Sequence, residues 1–144
     1  MVEIIDETNR FPQVEMLQRT LEAFMEELGL EDRELTVVLC SDEEIRVMNR
    51  DHRGVDKPTD VLSYPTSEPD DRGVPCVPHI GDIVISVDSA TRQASSHGYD
   101  TVGEVLTLAA HGLTHLRGYD HPTEEAWQIF RKAQTRILQL ARRS

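Results

Sequence analysis

The chain has 144 residues, 38% of them hydrophobic and 28% charged, with a formal net charge of −11. That profile fits one globular domain over residues 1–144, large enough to bury about two-thirds of its unfolded surface. It excludes a general nucleic-acid-coating protein and a disulfide-stapled scaffold, since Cys40 and Cys76 stand alone.

No apolar run nears the ~20 residues that cross a bilayer, and the start Met1-Val-Glu-Ile-Ile-Asp-Glu7 is acidic where a secretory signal is basic. A cytoplasmic location without a membrane partner is expected. In chain order, Val2 to Ile5 reads as a short strand. Residues 12–28 place Val14, Leu17, Leu21, Phe24, Met25 and Leu28 at helical spacing, with Gly29 as the C-terminal cap. Leu35 to Cys40 reads as a buried strand. Ser41-Asp-Glu-Glu44 is a capping box opening a helix through about Asn49. Asp51 to Thr59 is a polar loop, and Asp60 to Tyr64 a core strand.

Residues 65–78, with four prolines, form an exposed loop. His79 to Val87 is an Ile/Val-rich strand, followed by a helix capped by Asp88 and running to about Ser96. Thr101-Val-Gly-Glu104 is a second capping box, and the helix it opens continues through Val105, Leu106, Leu108, Ala109 and Leu113, apolar nearly all round. A last helix begins near Thr123 and turns Trp127, Phe130, Ile137 and Leu138 to the core. The order β-α-β-α-β-β-α-α-α predicts an α+β fold, a small mixed sheet packed with about five helices.

The acids are concentrated in the first 50 residues. None follows Glu125, after which come Arg131, Lys132, Arg136, Arg142 and Arg143. This basic helix could receive a polyanion, or it could simply be a solvated face that suits the C-terminal dipole.

The segment His111-Gly-Leu-Thr-His115-Leu-Arg-Gly-Tyr-Asp-His121 carries the chemistry. His111 and His115, four apart, stand on one helix face. Gly118 can leave the helix with positive φ, so that His121 approaches the same point. Three imidazoles around one divalent ion leave a coordination position open, the catalytic pattern, and nitrogen donors suit zinc while admitting nickel, copper or iron. Asp120 is a turn residue or the acceptor that orients a ligating imidazole. The zinc-protease pattern H-E-x-x-H has its general base beside the first histidine. Gly112 occupies that place, which weighs against peptide hydrolysis. His52, His79 and His97 lack ligand spacing.

In Arg53-Gly-Val-Asp-Lys57-Pro-Thr-Asp60-Val-Leu-Ser-Tyr-Pro65, Arg53 and Lys57 could hold a phosphate. The alternative is a turn with solvated charges, and the first reading needs a fold that brings the loop to the histidines. Asp82, in Gly81-Asp-Ile83, is either a partner of a ligating imidazole or strand-edge polarity.

These three segments together resemble the YbeY family of bacterial endoribonucleases, which act in ribosomal RNA maturation. The histidine run matches the family pattern H-G-x-L-H-L-x-G-Y-D-H, and the Arg53–Pro65 and Gly81–Ile83 segments match two others in order. Thr114 departs from a usual leucine and Tyr64 from a usual phenylalanine. The resemblance implies a zincin-like fold, with His111, His115 and His121 as ligands of one divalent metal ion, expected to be zinc, and Arg53 as the catalytic arginine. It implies a metal-dependent, single-strand-specific endoribonuclease acting in rRNA processing, including 16S rRNA 3′-end maturation, and in ribosome quality control. Its partners would be single-stranded RNA and the small ribosomal subunit or a protein associated with it. The other functions considered are a ribosome-assembly binding factor with a structural metal, and a metallohydrolase or metalloprotease of another substrate. Trp127 is read as core, leaving Tyr64, Tyr99 and Tyr119 for base stacking, so little intrinsic sequence specificity is expected.

Overall fold

The computed structural model describes residues 1–66, 79–119 and 123–142. Its elements follow the predicted order: β1 (Val2–Asp6), α1 (Val14–Glu27), β2 (Glu34–Cys40), α2 (Asp42–Arg53), β3 (Val61–Pro65), β4 (His79–Ser86), α3 (Val87–His97), α4 (Thr101–Leu116) and α5 (Glu124–Arg142). The sheet order is β1-β2-β4-β3. β1, β2 and β4 are parallel, while β3 runs antiparallel to β4 at one edge, making the α+β, mixed-sheet architecture expected.

Period-2 alternation divides the strands between two cores. Val37, Leu39, Ile83 and Ile85 join the main cluster with Leu17, Leu21 and Phe24 of α1 and the apolar face of α4. On the opposite face Leu62 and Val84 pack under Ile45 and Met48 of α2. α4 is buried from Val102 through Ala110, as its all-round apolar pattern requires. Thr114, where the family pattern has leucine, is also buried and donates its hydroxyl to Ala110 O at 2.8 Å, so its own polar group is satisfied.

Helix ends follow local chemistry. Gly29 closes α1 with φ +74, its N–H on Glu26 O while Leu30 N–H reaches Met25 O, the paired bonds of a Schellman turn. Ser41 accepts from Glu44 N–H at 3.2 Å, and the Ser41 hydroxyl donates to the Glu44 carboxylate at 3.1 Å.

Four expectations are corrected. α2 runs past Asn49 to Arg53 and is stopped by Gly54 at φ +71, because Asp51-His52-Arg53 contains no breaker and its basic end suits the dipole. Ser86, not Asp88, caps α3; Asp88 instead accepts from the Asp42 N–H at the start of α2, at 2.9 Å. Asp100, not Thr101, caps α4 by accepting from Gly103 N–H, which frees Glu104 to meet His97. Trp127 is 37% exposed while Phe130, three residues on, takes the innermost place. The loop expected over 65–78 begins with Pro65 at the end of β3, and residues 67–78 lie outside the described residues.

β4 carries a bulge at Ile80, since Glu34 pairs with His79 and Leu35 with Gly81. A Cβ on Gly81 (φ +156) would meet Tyr64 O at 2.6 Å and Leu116 Cδ2 at 2.7 Å. Glycine here lets the C-terminal end of α4 seat directly on the β3/β4 ribbon, and that contact sets the height of the histidines above the sheet edge.

Candidate metal centre

The i, i+4 spacing places His111 and His115 on one face of α4, with their Nε2 atoms 3.2 Å apart. Beyond the helix Gly118 adopts φ +95; its N–H bonds to His115 O at 2.9 Å and the Tyr119 N–H to Thr114 O at 3.3 Å. This Schellman turn presents the Tyr119 carbonyl to His115 Nδ1 at 3.1 Å. A carbonyl only accepts, so Nδ1 carries the proton and the Nε2 lone pair faces His111. Phe130, fully buried, lies 4.7 and 4.8 Å from the two imidazole rings and closes the centre from behind.

The pair fits a metal ion. Bonds of about 2.0–2.1 Å at a tetrahedral ion separate two nitrogens by about 3.3 Å, and an imidazole anchored through Nδ1 to a carbonyl is the usual arrangement for an Nε2 ligand. Among the described residues no third His, Cys, Asp or Glu joins them. His121 and Asp120 lie outside the described residues.

Both imidazoles open into a groove of about 710 Å³ whose walls include His52, Arg53, Asp60, Ser63 and Tyr64. Arg53 comes from the last turn of α2 on one face of the sheet and the histidines from α4 on the other; they meet at the edge strand β3. The arginine segment and the histidine motif, 58 positions apart in sequence from Arg53 to His111, therefore share one cavity. Lys57 is not in its wall: its side chain is exposed and its carbonyl accepts from Asn49 Nδ2 at 2.8 Å. Asp82 pairs with Tyr64 in the β3–β4 ladder, on the sheet face away from α4, and lies 3.5 Å from His79. The fold does not bring Asp82 to the imidazoles.

Sequence reading passed over two features of the site. His52 packs edge-to-face on Tyr64 at 5.2 Å. Among the described residues the buried Tyr64 hydroxyl has no hydrogen-bond partner, and burial pushes its pKa up against the pull of the Arg53 charge. The ligand spacing that His52 lacks says nothing of a role beside an aromatic ring. His79 lies between the Thr36 and Thr66 hydroxyls, and His97 is held by Glu104.

The basic last helix is partly neutralised. Arg136 forms a two-pronged pair with Glu27 of α1, and Arg131 lies 3.2 Å from Glu124. Among the described residues no helix is long and apolar enough to cross a membrane.

Residues 3–142 match the family model described as Endoribonuclease YbeY. A Thermus thermophilus protein named Endoribonuclease YbeY is 51% identical over 142 residues, spanning 97% of this chain and 100% of that protein. A Deinococcus radiodurans protein of the same name is 50% identical over 128 residues, 81% of each chain. One from Geobacillus thermodenitrificans is 42% identical over 145 residues, 95% of this chain and 93% of the other. The solution structure of a Thermotoga maritima protein superposes with a TM-score of 0.68 at 28% identity, covering 99% of this chain and 92% of that one.

Proposed function

The chain belongs to the YbeY endoribonuclease family, and from that premise we propose that it is one metallohydrolase domain, residues 1–144, cutting single-stranded RNA with a divalent metal, zinc by its donors. The ligands in this reading are His111, His115 and His121, with Arg53 as the catalytic arginine and Asp120 as a supporting acceptor. The observation that carries it is the shared groove: Arg53 and the paired imidazoles face one volume although they come from opposite faces of the sheet.

The chemistry such an ion supplies when bound is positive charge at a phosphoryl oxygen and a lowered pKa for water. The remaining work falls to the chain. The Arg53 guanidinium binds non-bridging phosphate oxygens through paired donors and stabilises the charge that grows on them as the phosphodiester is attacked. The Tyr119 carbonyl holds His115 in the tautomer that presents Nε2. Phe130 and the apolar flank of α4 exclude water from behind the imidazoles. Gly112 leaves no carboxylate at the place where a zinc protease has its base, so the site lacks that group for peptide bonds.

The proposed setting is ribosomal RNA processing in the cytoplasm, including 16S rRNA 3′-end maturation and ribosome quality control. The net charge of −11 disfavours unassisted approach to a polyanion, which supports delivery of the RNA by the small subunit or a protein bound to it. The test is cleavage of a single-stranded RNA by the purified protein. Activity should vanish on chelation, return with zinc, and fall sharply in Arg53→Ala and His115→Ala. Undiminished cleavage by metal-free protein would overturn the reading.

A further inference from the structure

A second cavity, of about 450 Å³, adjoins the groove and shares Asp60, Val61 and His111 with it. Its other walls include Gln93 and His97 of α3, Tyr99, Glu104 of α4, and Trp127 and Gln134 of α5. The volume lies within the range of small-molecule sites.

Asp60 lines both cavities, but only the groove also holds the Arg53 guanidinium, and only this cavity holds Glu104. Asp60 and Glu104 give it two carboxylates, and no Lys or Arg is among its described lining residues. A phosphate is repelled here and attracted next door. Glu104 is 1% exposed, its carboxylate held by His97 Nδ1 at 3.0 Å, and Asp60 accepts from Gln93 Nε2 at 3.3 Å. Each carboxylate keeps spare lone pairs for donors from a ligand. Trp127 stands at the wall, packed edge-to-face on Phe130 at 6.1 Å. Phe130 in turn lies 4.7 Å from His111, so the indole is tied through one ring to the metal-site imidazole.

An aromatic wall, carboxylate and amide groups and a negative field suit a neutral planar ring with amino donors, and repel a phosphate or sulfate. We propose that this cavity is a nucleobase subsite: it takes one unpaired base of the RNA flanking the phosphate held at Arg53, stacked on Trp127 with its amino edge toward Glu104 and Asp60. The proposal rests on the endoribonuclease reading above. A base inside a duplex has its amino edge paired and its faces covered, so it cannot enter. The subsite is thereby a physical source of single-strand selectivity, and it corrects the expectation that Trp127 is unavailable for stacking.

Trp127 is the chain's sole tryptophan, so intrinsic fluorescence reports on this wall alone. The zinc-loaded full-length protein is mixed by stopped flow with a labelled single-stranded oligoribonucleotide. Trp127 emission and label anisotropy are read before turnover, and cleavage afterwards. The same strand is then used with one abasic site at each position in turn, and as a duplex. The expected result is saturable quenching by the intact single strand. One abasic position should abolish the quenching and weaken binding about tenfold, the scale of one stacked base. Trp127→Ala should bind intact RNA about tenfold more weakly and be indifferent to that abasic site, while Trp127→Phe, which keeps an aromatic face, should recover most of the affinity. If RNA binds and is cut but emission is unchanged, and Trp127→Ala responds to the abasic series as wild type does, the subsite is overturned and the endoribonuclease reading stands. If RNA neither binds nor is cut, both are overturned.

Discussion

His115 donates its Nδ1–H to the carbonyl oxygen of Tyr119 at 3.1 Å, an acceptor that belongs to the turn closing the helix on which His115 stands. The bond requires Gly118 at φ +95, which an L side chain rarely adopts, although among the described residues nothing lies within 4 Å of where a Cβ would be. Gly118→Ala therefore acts through the backbone. It should cost about 1–2 kcal/mol of stability from the left-handed strain and weaken zinc binding about tenfold by loosening the imidazole's anchor. Competition with a fluorescent zinc chelator measures the second effect, and unchanged affinity in a folded variant would show that Tyr119 does not orient His115.

Arg53 is exposed on the final turn of α2, and in the proposed function it binds the phosphate. Arg53→Ala should lower kcat/KM on single-stranded RNA by about 10²–10³-fold, the scale of losing one preorganised charge-stabilising group, while zinc content and thermal midpoint stay at wild-type values. Arg53→Lys should recover only part of the activity, since a point charge cannot reproduce paired donors. Full activity in the alanine variant, measured alongside metal content, would remove Arg53 from the chemistry.

Asp42 contributes to acid stability. Burial alone would raise its pKa, yet hydrogen bonds from Ser86 at 2.6 Å and Ser89 at 2.7 Å and the Arg92 pair at 2.8 Å outweigh it and hold the carboxyl below its ordinary value of 3.8. A depressed folded pKa contributes stability that is present above the unfolded value and lost as pH falls through the folded one. Asp42→Asn should thus cost about 1–2 kcal/mol at pH 7, and the gap from wild type should close as the pH is taken below 3.8. Urea midpoints at neutral and acid pH give the comparison; a gap independent of pH would mean that the carboxylate charge is immaterial.

The parts of this molecule legible in its sequence are those set by short-range periodicity. Val37/Leu39 and Ile83/Ile85 alternate, Leu17, Leu21, Phe24 and Met25 recur at helical spacing, and Gly29 and Gly118 mark helix ends because only a left-handed residue closes them this way. Capping was harder to read where two competent residues adjoin. Asp100 and Thr101 both can cap, and Ser86 competes with Asp88; the choice depends on which side chain meets the third N–H. Trp127 and Phe130 lie on one face of α5, and spacing does not say which is innermost. The meeting of Arg53 with the histidines was legible only through the family resemblance, not in spacing or periodicity. It follows from the two helices covering opposite faces of a sheet and reaching past the same edge strand, a consequence of topology.

Gly112 was informative in the sequence for what it lacks, and its position explains the lack sterically. A Cβ there would stand 3.0 Å from both Ile83 Cγ2 and Ser63 Oγ and 3.2 Å from Ile83 Cδ1. The Ser63 hydroxyl donates to Gly112 O at 3.4 Å, so helix and edge strand touch at this residue. The place where a zinc protease has its glutamate thus faces the β3/β4 ribbon, and a carboxylate could enter only by lifting α4 off the sheet. Gly112→Ala should destabilise by about 1–3 kcal/mol, the cost of overpacking a tight contact. The same lift should shift the imidazoles relative to Arg53, so that RNA cleavage falls more than zinc affinity does. Gly112→Glu should fail to fold rather than gain peptidase activity. Denaturant midpoints, zinc affinity and cleavage rates on the alanine variant decide the matter: wild-type stability would mean that Ile83 yields freely and that the missing base has no steric cause.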